Sequence, residues 1–190
     1  MVAIVAIGGL AAIGSIRAAQ LLMPSVHVLR QGASLAALPE AVRALSRSLG
    51  NLLRLATAAS LGLAAVCLAW GIAALLVPDD VGSLLLGDVW PSAQTFLPAS
   101  ICAQLGVVLV LGPGMMIRAF ANARLSPRVT VVTATVGISV PVVAAFAGGL
   151  AAAWGLAFAS VVGAAIWWLA LPSGIRTWRQ TGTTSERAPA

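Results

Sequence analysis

The chain has 190 residues, 60% of them apolar and only 8% charged, with a mean hydropathy of +1.01, where soluble domains carry roughly 25% charge. A water-soluble fold of this length cannot cover so much apolar surface, whereas a bilayer solvates apolar side chains all round a helix. The net charge of +6 comes entirely from Arg, with no Lys; genomic base composition explains that bias more simply than function does, and with no RNA- or DNA-binding motif beside it no nucleic-acid partner is expected.

A membrane-spanning helix needs about 20 mainly apolar residues, and five stretches qualify: about 8–38, 52–77, 95–117, 129–149 and 151–172. The fold class expected is all-α, a polytopic transmembrane helix bundle over 1–175, followed by a polar tail at 176–190 that reads as disordered. The first stretch is too long for one straight span. Its residues up to Gly8-Gly9 read as the stub of an earlier helix, and Pro24 should kink the remainder of the span by removing one backbone hydrogen bond. The chain opens inside an apolar run with neither the basic n-region of a signal peptide nor a convincing cleavage site. An odd number of spans without a leader points to a missing N-terminal half or a partner bundle; a complete small five-helix protein is the alternative.

Charge sorts the connections. Arg43, Arg47 and Arg54 follow the first span, Asp79, Asp80 and Asp88 follow the second, and Arg118, Arg124 and Arg128 flank the third connection. A short turn near Gly148-Gly149 joins the last two spans, and Arg176, Arg179 and Arg187 mark the tail. The positive-inside rule then makes the first and third connections and the C-terminus cytoplasmic, in a multi-pass protein of the cell inner membrane. Glu40, after Pro39 at the end of the first span, faces cytoplasmic water beside Arg43 in the simplest reading, with an ion-pair gate as the alternative. Trp90, Trp167, Trp168 and Trp178 fall near the expected boundaries, where amphipathic indoles anchor helices.

Within the first span Arg17, Gln20, Pro24, His27, Gln31 and Ser34 recur at steps of three and four, which helical geometry puts on one face. Such a stripe is costly against lipid and belongs in a bundle interior or a watery cavity. Each residue alone has a plainer explanation: Arg17 or Arg30 snorkelling to an interface, His27 as a hydrogen-bonded interior histidine. Together they mark Arg17, Gln20, His27, Arg30 and Gln31 as cavity candidates. The arginines suit a phosphate-bearing head group, because the guanidinium fork donates paired hydrogen bonds and stays charged. His27 titrating to couple transport to protons is a lesser reading, since no carboxylate partner is visible in the span.

Further along, Leu111-Gly112-Pro113-Gly114 and Pro141 interrupt the third and fourth spans and free backbone carbonyls. With Pro24 they are hinge candidates, though Gly and Pro are also ordinary in membrane helices. Ala151, Gly155, Ala159 and Gly163 recur every fourth residue of the last span and allow a second helix to approach closely. Cys67 and Cys102 have no metal-ligating neighbours and read as small buried residues, so neither a metal nor another cofactor is expected. Asp79 and Asp80 are adjacent in an expected loop, would point apart if extended, and read as solvating the external turn and helping to set topology. With no nucleophile elbow, no HExxH and no paired carboxylates in a span, the chain does not read as an enzyme.

The stretch Arg17-Ala-Ala-Gln-Leu-Leu-Met-Pro-Ser-Val-His-Val-Leu, with Ala-Leu-Pro-Glu at 37–40 and Leu-Leu-Leu-Gly-Asp-Val-Trp at 84–90, resembles bacterial polysaccharide-biosynthesis membrane proteins of the O-antigen flippase type. These belong to the multidrug/oligosaccharidyl-lipid/polysaccharide exporter superfamily, and the likeness spans roughly residues 8–175. The resemblance implies the C-terminal bundle of a two-bundle, MATE-like transporter that flips a polyprenyl-pyrophosphate-linked glycan across the bilayer by alternating access. It also implies that Arg17 meets the pyrophosphate, while Met23 and His27 depart from the family's commoner pattern around Pro24. The matching motifs are degenerate apolar patterns, so a multidrug efflux relative and a non-transporting membrane scaffold or assembly subunit remain as alternatives.

Overall fold

The structure, a computed structural model, describes residues 24–120 and 125–185. Over that range the chain is all-α: α1 (Pro24–Arg47), α2 (Leu49–Leu75), α3 (Asp79–Leu86), α4 (Trp90–Leu109), α5 (Leu111–Ala119), α6 (Leu125–Ala145) and α7 (Gly149–Ser185), with a 3-10 turn at Gly87–Val89. Among the described residues four stretches are long and apolar enough to cross a bilayer: Leu49–Leu75, Asp79–Ala119, Ser126–Ala145 and Gly149–Trp178. The protein is a membrane protein of the helical-bundle class.

The side-chain distribution fits a bilayer better than water. Alanine is the commonest buried residue, as at Ala56, Ala93, Ala103, Ala157 and Ala159, whereas many large side chains such as Leu61, Ile72, Val143, Phe158 and Leu169 point outward. Lipid tails are as apolar as leucine, so nothing drives large side chains inward; small ones go there because they let backbones approach and gain dispersion contact. A Cβ added at Gly106 on α4 would stand 2.5 Å from the carbonyl carbon of Ser160 on α7. One added at Gly155 on α7 would stand 2.7 Å from the Cβ of Ala144 on α6.

These contacts set the layout. α7 lies between α6 and α4, α4 between α7 and α2, and α1 packs on α2 and α5. Gly71 meets Ile101 while Ser60 meets Gly112, so α2 and the α4/α5 pair run antiparallel. Gly106 meets Ser160 and Leu109 meets Trp168, so α4 and α7 run parallel. The ends therefore differ in charge: Arg47, Arg54, Arg118, Arg128 and Arg176 gather at one end, Asp79, Asp80 and Asp88 at the other.

Several boundaries differ from the sequence expectation. Residues 8–23 of the first span lie outside the described residues, and α1 runs past residue 38, through Pro39, to Arg47. Proline removes one helical hydrogen bond, and here the helix is held beyond it by Ala41, fully buried in the cluster of Leu52, Ala56 and Met116. α1 and α2 then meet at Ser48, whose extended backbone (φ −170°, ψ 153°) and hydroxyl, accepting from the Asn51 N–H at 3.1 Å, form an N-cap. Asp79 and Asp80 open a helix, where the macrodipole favours negative charge, and are not in a loop. The last helix continues through the expected tail to Ser185.

The tryptophans are also redistributed. Trp90 is buried over Gly82 and donates its Nε1–H to Asp79 at 2.9 Å. Trp167 is buried, Trp168 bonds to a backbone carbonyl, and Trp178 lies against Phe120 with ring centroids 5.8 Å apart. These four do structural work inside the bundle; the outward indoles are Trp70 and Trp154, near the Asp-rich end. The turn between α6 and α7 rests on Gly148 at φ 114°, a backbone conformation side-chain-bearing residues rarely adopt.

Candidate functional site: an arginine-lined cleft beside a broken helix

The third expected span, 95–117, is interrupted at Val110, between α4 and α5. The sequence explains why. In a continuous helix the N–H of residue 113 would bond the carbonyl of Leu109, but Pro113 has no N–H. That carbonyl instead accepts the Nε1–H of Trp168 at 3.1 Å, with the Ser60 hydroxyl donating at 3.5 Å. The Gly112 N–H is likewise diverted, donating to Ser60 Oγ at 2.8 Å. Gly112 has to be glycine, since a Cβ there would lie 2.5 Å from the Ala56 carbonyl oxygen. The break is thus held from both sides, by α2 through Ser60 and by α7 through Trp168.

Beside the break an open cleft of about 100 Å³ is lined by Arg30 of α1, Leu111, Gly114, Met115 and Arg118 of α5, and Trp167 of α7. Leu111, Gly114 and Arg118 recur at steps of three and four and so share one face of α5. Arg30 is partly buried, its Nε shielded from solvent, while Arg118 is exposed. Trp167 and Met115, both buried, form an apolar floor. Among the described residues no acidic side chain lines the cleft. Glu40, on α1, pairs with Arg43 at 3.3 Å, both side chains exposed.

Of the cavity candidates, Arg17 and Gln20 lie outside the described residues, and His27 lies on the described backbone of α1, one turn before Arg30. Gln31 is exposed and does not line the cleft, because about 100° of helical rotation separates it from Arg30. Of the hinge candidates, Pro24 is the first described residue of α1, Pro113 sits at the break, and Pro141 is buried within a continuous α6 against Gly155. By sequence alone Arg118 reads as part of a connection and its topology signal. Its spacing of four from Gly114, just after a Gly-Pro-Gly break, is the signal that ties it to the cleft. Ser60 gave no such signal, being one hydroxyl in an apolar run.

The stripe of small residues on the last span does what its spacing implied: Gly155 packs on α6 and Gly163 approaches Thr133 of the same helix. Cys67 is buried, Cys102 partly so, and both are free thiols. No group of three or more His, Cys, Asp or Glu stands together for a metal among the described residues. Chemically, the cleft offers two guanidinium groups over an apolar floor, a combination suited to an anionic group carried on an apolar chain. The chain matches no protein-family model, no curated protein and no solved structure.

Proposed function

We propose that this chain is part of a membrane transporter that flips or exports a lipid-linked oligosaccharide or polysaccharide precursor by alternating access. The carrier's pyrophosphate binds between Arg30 and Arg118. The observation that carries the reading is the cleft: two arginines from different helices line it together with the apolar Trp167 and Met115, with no acidic side chain among the described residues of its lining. Arg forks match phosphate oxygens in pairs, and an apolar floor suits a polyprenyl chain. The adjoining interruption at Val110, where the backbone stays near helical angles but the Gly112 N–H and Leu109 carbonyl are diverted, supports this reading as a point where the span could bend between states. Export of cationic drugs fits less well, since that substrate calls for acidic lining.

The segregated charge favours the Arg-rich end on the cytoplasmic side of the inner membrane, where the precursor is made available. A partner bundle supplies the opposite wall of the path, and Arg17, Gln20 and His27 are candidates from the sequence for further polar lining. The test is flipping of a fluorescent polyprenyl-pyrophosphate glycan in proteoliposomes containing the chain together with its partner bundle. Arg30→Ala and Arg118→Ala should each slow flipping about tenfold, the equivalent of one lost charged hydrogen bond. The Lys variants should recover only part of the rate, since Lys keeps the charge without the fork. Undiminished flipping by the double Ala variant would rule the reading out.

A further inference from the structure

α3 is too short to span a bilayer: its eight residues rise about 12 Å, against a hydrocarbon core of about 30 Å. Yet it is not a polar external loop, for Val81, Leu84 and Leu85 stand out at 46%, 85% and 67% exposure. At about 100° per residue, its side chains fall into three sectors. Gly82 and Leu86 face the protein, Gly82 beneath the ring of Trp90. Asp79, Asp80 and Ser83 form a polar edge, and Val81, Leu84 and Leu85 form an apolar edge roughly opposite it. A helix with one side on protein, one suited to water and one to hydrocarbon fits a single environment, the boundary between head groups and acyl chains.

Its neighbours place the same boundary there. Ile72, Leu75 and Leu76 at the end of the preceding span are exposed as well, so large apolar side chains face outward from both elements at this end of the chain. The outward indoles Trp70 and Trp154 stand near the same end of the bundle, the depth at which tryptophan prefers to lie. The helix is fixed in orientation: the Trp90 Nε1–H donates to Asp79 at 2.9 Å, across the 3-10 turn, while the indole packs on Gly82.

From this arrangement we propose that α3 is an interfacial anchor, a short helix lying along the lipid surface at the Asp-rich end with Val81, Leu84 and Leu85 in the acyl chains. It sets the depth and tilt at which the bundle sits, and it does not depend on what the bundle transports.

The test uses nitroxide labels on the full chain in phosphatidylcholine vesicles, placed one at a time at Leu84→Cys, Asp80→Cys and Val66→Cys with Cys67 and Cys102 replaced by Ala. Val66 is an exposed position midway along α2 and reports insertion. Collisions with oxygen should exceed those with a water-soluble nickel chelate at Leu84 and Val66, and the ratio should reverse at Asp80. A Leu84 label as open to the nickel chelate as the Asp80 label, with Val66 still in lipid, would overturn the anchor. Protection of Leu84 from both reagents would overturn it too, by showing protein and not lipid over this face. A Val66 label in water would overturn the spanning placement on which the anchor rests.

Discussion

Ser60 serves two helices with one hydroxyl. It is the buried polar side chain of the described core, accepting from Gly112 and facing the Leu109 carbonyl, the two backbone groups that the break at Val110 diverts. Interhelical hydrogen bonds in membranes average only about 0.6 kcal/mol, but leaving a buried N–H unsatisfied costs more than losing a typical bond. Ser60→Ala should therefore destabilise the bundle by about 1–2 kcal/mol, read as earlier thermal unfolding in detergent. Trp168→Phe, which keeps most of the ring and removes the other donor to Leu109, should cost less, because the Ser60 hydroxyl remains beside that carbonyl. At the opposite extreme, Glu40→Gln breaks an exposed i,i+3 pair and should leave stability nearly unchanged, since such pairs contribute about 0–1 kcal/mol.

At the scale of helices, the bundle is held by close backbone approach at a few glycines. Gly106→Ala drives a methyl into the Ser160 backbone of α7, which cannot yield as a flexible side chain would, whereas a Cβ at Gly62 on α2 meets nothing within 4 Å. The Gly106→Ala protein should lose folded yield in detergent size-exclusion chromatography, and Gly62→Ala should match the native chain or exceed it, alanine being the better helix former. The spans on α2, α6 and α7 were legible because apolar runs of span length bounded by charge leave few other choices in lipid. Their ends were not: α1 continues through Pro39 because Ala41 is buried on the far side, a tertiary contact that local sequence does not announce. The Leu-Gly-Pro-Gly break was visible as an interruption, but its partners, Ser60 and Trp168, lie about fifty or more residues away in either direction and carry no local mark of the role.

Over the whole molecule, charge and packing agree on polarity. Among the described residues Arg47, Arg54, Arg118, Arg128 and Arg176 collect at one end and Asp79, Asp80 and Asp88 at the other, so the positive-inside rule predicts opposite sidedness for Ser46→Cys at the Arg-rich end and Ser83→Cys at the Asp-rich end. An impermeant maleimide added outside intact cells should modify Ser83→Cys and spare Ser46→Cys. Half of the candidate site was legible beforehand: Arg30 stood out as a cation in an apolar helix, while Arg118 has the marks of an ordinary topology signal unless α1 and α5 are seen side by side. The most direct measurement of whether the two arginines form one anion site is calorimetric titration of the detergent-solubilised chain with a short-chain prenyl diphosphate. Arg30→Ala and Arg118→Ala should each weaken binding about tenfold, and the double variant should fall short of the product of the two, as expected for groups sharing a ligand. A double variant that binds the diphosphate as tightly as the native chain would contradict a shared site at this cleft.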